Sequence, residues 1–190
     1  MSKPTIYIIT GFAEGSWHTK RFYKTADTYG FKAAKNIEAA DIIISHSAGC
    51  FYLPPANKRQ LTILINPPYW PGKSMFIGGL QKFKSDVAAN IKRGTYAYWL
   101  QKSFWDTLYL LGSMSKAIQI VKNSSRHDFY KALRQRSILI IRNDEDTFLN
   151  PDAAISLKKH MKFKYSELPG QHDDCWLDAT PYIKVIQSVI

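Results

Sequence analysis

Several things are scarce in this chain, and each scarcity narrows what it can be. Cysteine occurs twice in 190 residues, as Cys50 and Cys175, with no metal-ligand spacing around either. That excludes a disulfide scaffold and leaves no zinc signature. Both read as small buried residues near the starts of helices. No apolar run approaches the ~18 residues of a membrane span. The first run, Ile6 to Ile9, is also too short for a signal-peptide core and has no cleavage pattern behind it. A cytoplasmic protein without a membrane span is expected.

Acidic residues are outnumbered, 15 against 26 lysines and arginines, for a net charge of +11. Such a balance favours contact with polyanions. The bases are scattered, however, with no long basic tract and no zinc-finger, RRM or KH signature. They read as a solvated basic surface, and no specific nucleic-acid partner is expected. A phosphate-binding loop is missing as well. Gly11-Phe-Ala-Glu-Gly15 follows the first strand but puts Glu14 where a phosphate would sit, which disfavours nucleotide binding. No internal repeat or low-complexity segment is present.

What is present is an ordinary hydrophobic content of 45%, enough for one sizeable core, so residues 1–190 read as a single domain. Apolar runs predict strands near 5–10, 31–34, 42–46, 61–66, 137–142 and 163–168. Helices are expected over 17–29, 48 to about 58, 151–160 and 176–190, with Pro54-Pro55 ending or kinking the second. Alternation of strands and helices predicts an α/β fold: a mainly parallel sheet of five to six strands flanked by helices. Between 74 and 136 the pattern changes to helical stretches rich in Tyr, Trp and Phe. That segment reads as a helical cap inserted over the site, or as an ordinary packing layer with an aromatic core. As a cap it would favour an apolar acyl group or an aromatic ester.

Three segments carry chemistry. Ile42-Ile-Ile44 runs as a buried strand into Ser45-His-Ser47-Ala-Gly49, a set of small residues that lets the chain turn sharply with Ser47 at the tip. The strand at 137–142 leads into Asp144-Glu-Asp146, followed by Phe148, Leu149 and Pro151. The last strand leads into Gly170-Gln-His172. A serine hydroxyl needs a neighbouring base, and an imidazole needs an acid to hold its tautomer. Serine, acid and histidine here follow in that chain order, each just past a strand. The expected roles are Ser47 as nucleophile, His172 as base and Asp146 as the orienting acid. The backbone amides of Ala48 and Phe12 are the expected oxyanion donors. The Phe12 side chain reads equally well as a core aromatic. His46 is expected to turn away from Ser47, as strand neighbours do. His18 could face the pocket mouth, while His127 and His160 fall on exposed helices. No metal or cofactor is expected.

On Ser45-His46-Ser47-Ala48-Gly49, Asp146 to Pro151 and Gly170-Gln-His172, the chain resembles the α/β-hydrolase superfamily. Within it, the chain looks like the compact serine hydrolases similar to retinoblastoma-binding protein 9 and its bacterial relatives. Three features depart from the family pattern. Ser45 replaces the usual first glycine, and the loop at 11–15 lacks the common His-Gly pair. The first strand also lies unusually close to the serine, so the leading antiparallel strands of larger members are absent. The resemblance implies a compact α/β-hydrolase fold. It also implies hydrolysis of a small ester, thioester or amide by acyl transfer to water. The other reading is a catalytically idle α/β-hydrolase-like protein that meets partners through its basic surface.

Overall fold

A computed structural model describes residues 3–11, 13–68, 87–112, 115, 133–146, 148–149 and 151–190. Six strands form one sheet: β1 (Thr5–Ile9), β2 (Lys32–Ala33), β3 (Ile42–His46), β4 (Leu61–Ile65), β5 (Ser137–Asn143) and β6 (Lys164–Leu168). Their order across the sheet is β2-β1-β3-β4-β5-β6, and every neighbouring pair is parallel. The expected α/β class and strand count hold. The expected strand at 31–34 is the two-residue edge strand β2.

The central strands β3, β4 and β5 are buried on both faces, which is why they read as near-continuous apolar runs. Side chains alternate across the sheet. Ile63, Ile65, Leu139 and Ile141 face the layer of α1 (Ser16–Thr28) and the C-terminal helices. Leu64, Ile138 and Ile140 face the opposite layer, where Leu133, Leu149 and Leu157 pack. Each such fully buried side chain stabilises the fold by about 1.5–3 kcal/mol. Phe22 and Ala26 of α1 meet Trp176 and Tyr182 in the first layer.

The remaining helices are α2 (Tyr96–Gly112), α3 (Pro151–His160), α4 (Asp174–Leu177) and α5 (Thr180–Gln187), with a further helical stretch at 87–92. The last two correct the expectation of one helix over 176–190. The chain leaves helical geometry at Asp178, and Pro181 opens a new helix where its missing N–H is harmless. The expected helix after the elbow is also shorter, a single 3-10 segment, Ser47–Tyr52, that ends before Pro54. No described helix is long and apolar enough to cross a membrane. Within the helical segment expected over 74–136, residues 74–86, 113–114 and 116–132 lie outside the described residues.

This strand order fixes where a ligand can go. The chain moves outward from β1 to β2, then crosses back to place β3 on the other side of β1. At such a reversal the loops leaving the two central strands diverge and open a crevice at their C-terminal ends. Here those loops are 10–15 after β1 and 47–52 after β3.

Candidate active site

Ser47 sits at the crevice with φ of +50°, a left-handed conformation uncommon outside glycine. The tight turn explains its small neighbours. A Cβ on Gly49 would lie 2.6 Å from the Ile9 carbonyl oxygen and 2.7 Å from that of Thr10, so the elbow backbone rests directly on the end of β1. A Cβ on Gly11 would lie 3.0 Å from that of Ser47, so the loop after β1 closes against the serine from the other side. Ser45 is fully buried, and its hydroxyl has no hydrogen-bond partner among the described residues.

Asp146 and His172 arrive from the loops after β5 and β6 and meet in a 2.7 Å hydrogen bond between Oδ1 and Nδ1. A carboxylate only accepts, so Nδ1 carries the proton and Nε2 is left as the basic nitrogen. Phe148 packs edge-on against the imidazole, 4.7 Å between ring centroids. Burial would raise the Asp146 pKa. The charge and hydrogen bond of His172, with the amides of Phe148 and Leu149 at 3.1 and 2.9 Å, hold it below the ordinary value instead. The two neighbouring acids are engaged elsewhere. Asp144 accepts the Gly170 N–H at 2.8 Å, and Glu145 pairs with Arg93 at 2.9 Å.

Sequence reasoning missed the residues that hold these loops. Arg142, buried at the end of β5, donates Nη2 to the Asp144 carbonyl at 2.8 Å and Nε to the Leu149 carbonyl. Its guanidinium thus grips the acid loop on both flanks of Asp146. Asn66, just past β4 with φ of +48°, donates to the His172 carbonyl at 2.6 Å and to Asn143 Oδ1 at 2.7 Å. The signal available for Asn66 was its residue type, since asparagine tolerates the left-handed region.

His46, expected only to turn away from Ser47, is built into the base loop. Its Nε2 lies 2.9 Å from the His172 carbonyl oxygen, and its Nδ1 lies 2.9 Å from Glu14 Oε1. Glu14 also accepts the Gly11 N–H at 2.6 Å and the Trp176 indole N–H at 3.0 Å. Burial would raise the Glu14 pKa, but His46 holds it well below the ordinary value. For His46, burial would lower the pKa, and the charge and hydrogen bond of Glu14 beside it hold it well above the ordinary histidine value, with the Cys175 sulfur also against the ring. Burial pushes the Cys175 thiol up, so the thiol stays protonated and Glu14 is the counter-ion.

Helix α2 and the stretch at 87–92 lie over these loops. Asn90 donates to Gln171 at 3.1 Å, and Arg93 reaches Asp174 at 2.8 Å. Trp17 of α1 stacks on Trp105 of α2, and the Tyr109 ring fills the space a Gly15 side chain would need. Lys102 is buried beneath α2, with Nζ 2.6 Å from Asp106 and 3.3 Å from Asp173. Burial works against its charge, but Asp173 and Asp106 hold its pKa above the ordinary lysine value. His18 is not at a mouth but buried beside them. It accepts the Gly15 N–H at Nδ1 and meets Asp106 through Nε2 at 2.8 Å.

Phe12, the second expected oxyanion donor, lies outside the described residues, as does His127; the side chain of His160 is also not described. Ala48 is buried next to the elbow serine. Among the described residues, His46, His172 and Asp173 offer ligand atoms within 4.8 Å of one another. His46 Nε2 is committed there to a carbonyl and His172 Nδ1 to Asp146. Only His172 Nε2 and Asp173 would remain, fewer than the three or four ligands that a zinc ion takes from protein.

No protein-family model matches the chain, and no curated protein matches it. Solved structures do. An α/β-hydrolase enzyme from a Medee basin deep-sea metagenome library aligns at TM-score 0.67 and 12% identity, over 99% of this chain and 89% of that one. The enol-lactonase of Burkholderia xenovorans aligns at 0.64 and 11%, over 97% and 90%. A thioesterase domain from the curacin biosynthetic pathway aligns at 0.62 and 13%, over 97% and 91%. These neighbours are hydrolases, and the likeness spans nearly all of both chains in each case. With its parallel sheet of six strands flanked by helices, the chain has the α/β-hydrolase fold.

Proposed function

We propose that this chain is a serine hydrolase that transfers the acyl group of a small ester, thioester or amide to water. The observation that carries the proposal is the Asp146–His172 hydrogen bond at the crevice where Ser47 sits on a strained elbow. In this reading His172 Nε2 takes the proton as Ser47 Oγ attacks the substrate carbonyl. Asp146 stabilises the imidazolium that forms. The amides of Ala48 and Phe12 receive the developing oxyanion. His172 then protonates the leaving group, and a water deprotonated by the same imidazole releases the acyl-enzyme. Contacts of Asn90 with Gln171 and of Tyr109 with Gly15, on loops after β6 and β1, support a cap within 74–136. The motifs keep the compact hydrolases similar to retinoblastoma-binding protein 9 as the subfamily we favour. Two free buried cysteines fit a reducing compartment such as the cytoplasm.

The test is labelling of the intact protein with a fluorophosphonate, with mass mapping of the modified peptide. One adduct on Ser47, absent from Ser47→Ala, supports the reading. An unlabelled folded protein would leave it as an idle member of the fold.

A further inference from the structure

Glu14 and His46 form a buried charge pair that the proton transfers above do not use. The two oxygen groups that face the ring nitrogens of His46 can only accept, and the Cys175 sulfur also adjoins the ring. The His172 carbonyl faces Nε2 at 2.9 Å, and the Glu14 carboxylate faces Nδ1 at 2.9 Å. Two accepting neighbours require a proton on each ring nitrogen, so His46 is an imidazolium. The charge is out of water, and such a charge persists only when paired and hydrogen-bonded. Glu14 meets that condition and has its other bonds filled by the Gly11 N–H and the Trp176 indole.

The pair spans the loops that a serine hydrolase must hold in register. Glu14 grips the amide of Gly11, which lies against Ser47. His46 precedes Ser47 in the chain and grips the main chain of the base. We propose that Glu14 and His46 act as a positioning pair that locks the loop after β1 and the elbow to the main chain of His172. The proposal rests on the serine-hydrolase reading of this site. The charged groups around His46 are Glu14 from the loop after β1, His172 and Asp173 from the base loop, and Lys102 behind Asp173 on α2. The Cys175 thiol of α4 adjoins it as well. Asp173 Oδ1 stands 3.8 Å from Nε2, beyond hydrogen-bond reach, and Oδ2 of the same carboxylate pairs with Lys102.

The test has two arms. Imidazole nitrogen NMR of the wild-type protein reads His46 directly, without reference to activity. Both nitrogens should remain protonated from about pH 6 to 9. A neutral His46 within that range overturns the proposal. The second arm compares Glu14→Gln, His46→Gln and the double variant on a short p-nitrophenyl ester. Each single change should lower kcat by about 10- to 100-fold, the scale of a small misplacement of reacting groups. KM should stay within about threefold, and the double variant should be no worse than the poorer single one. Losses that multiply in the double variant, or a Glu14→Gln protein at the wild-type rate, overturn the role. If His46→Gln does not fold, Glu14→Gln, which keeps the shape of the side chain, decides alone. Failure of the hydrolase reading looks different: wild-type protein then takes no fluorophosphonate at Ser47.

Discussion

The main-chain carbonyl of His172 accepts a 2.6 Å hydrogen bond from Asn66, a residue from the far side of β5. Asn66 is buried, adopts φ of +48° and also pairs with Asn143 in both directions, at 2.7 and 2.8 Å. Asn66→Gly keeps the backbone conformation and deletes the bonds. Both Asn66→Gly and Asn66→Ala should lose about 1–3 kcal/mol by urea denaturation, because buried partners are left unpaired. A Gly variant as stable as the wild type would show that the φ angle alone selects asparagine.

The acid loop makes a sharp kinetic contrast. Asp146 holds His172 Nδ1, while Asp144 holds only the amide of Gly170. Asp146→Asn should lower kcat by about 10⁴-fold, as loss of the orienting acid can do. Asp144→Asn should change it by less than about tenfold, or ~1.4 kcal/mol. Steady-state kinetics on one ester decide the matter, and reversed effects would make Asp144 the acid.

Asp146 should also mark the acid side of the stability curve. Burial alone would raise its pKa, but His172 and two amides hold it below the unfolded value. A depressed pKa contributes stability in full above the unfolded value, about 3.9, and the contribution is lost as pH falls through the folded value. The stability difference between wild type and Asp146→Asn should therefore shrink from about pH 5 towards pH 2. Denaturant titrations across that window check it, and a difference that grows on acidification would mean the sign is wrong.

Ser45 offers the opposite kind of change. Its hydroxyl is buried at the end of β3 without a partner among the described residues. Ser45→Ala keeps the size the elbow needs and removes an unsatisfied group, so stability should rise by about 1 kcal/mol. Thermal unfolding tests this. A loss of stability would show that the hydroxyl is bonded in solution.

Much of the architecture could be read from the chain because its signals are local. Ile42 to Ile44, Leu61 to Ile65 and Ile138 to Ile141 are apolar runs of strand length, and the strands lie there. Pro151 opens α3 where a proline fits. Ser47, Asp146 and His172 each follow a strand, and a parallel sheet brings all such positions to one end.

The sequence by itself thus determined the strands, their common direction and the residues that cluster at their ends. Tertiary structure alone decided what those residues touch. Glu14 meets Trp176, Asn66 meets His172 and Lys102 meets Asp173 across separations that no periodicity encodes. His46 looked like a strand residue with no task, because its two partners come from the loop after β1 and the loop after β6. Apolar patterning is repetitive and declares itself in a short window. A buried polar contact depends on two distant groups reaching one point, so it exists only once the sheet order has brought their loops together.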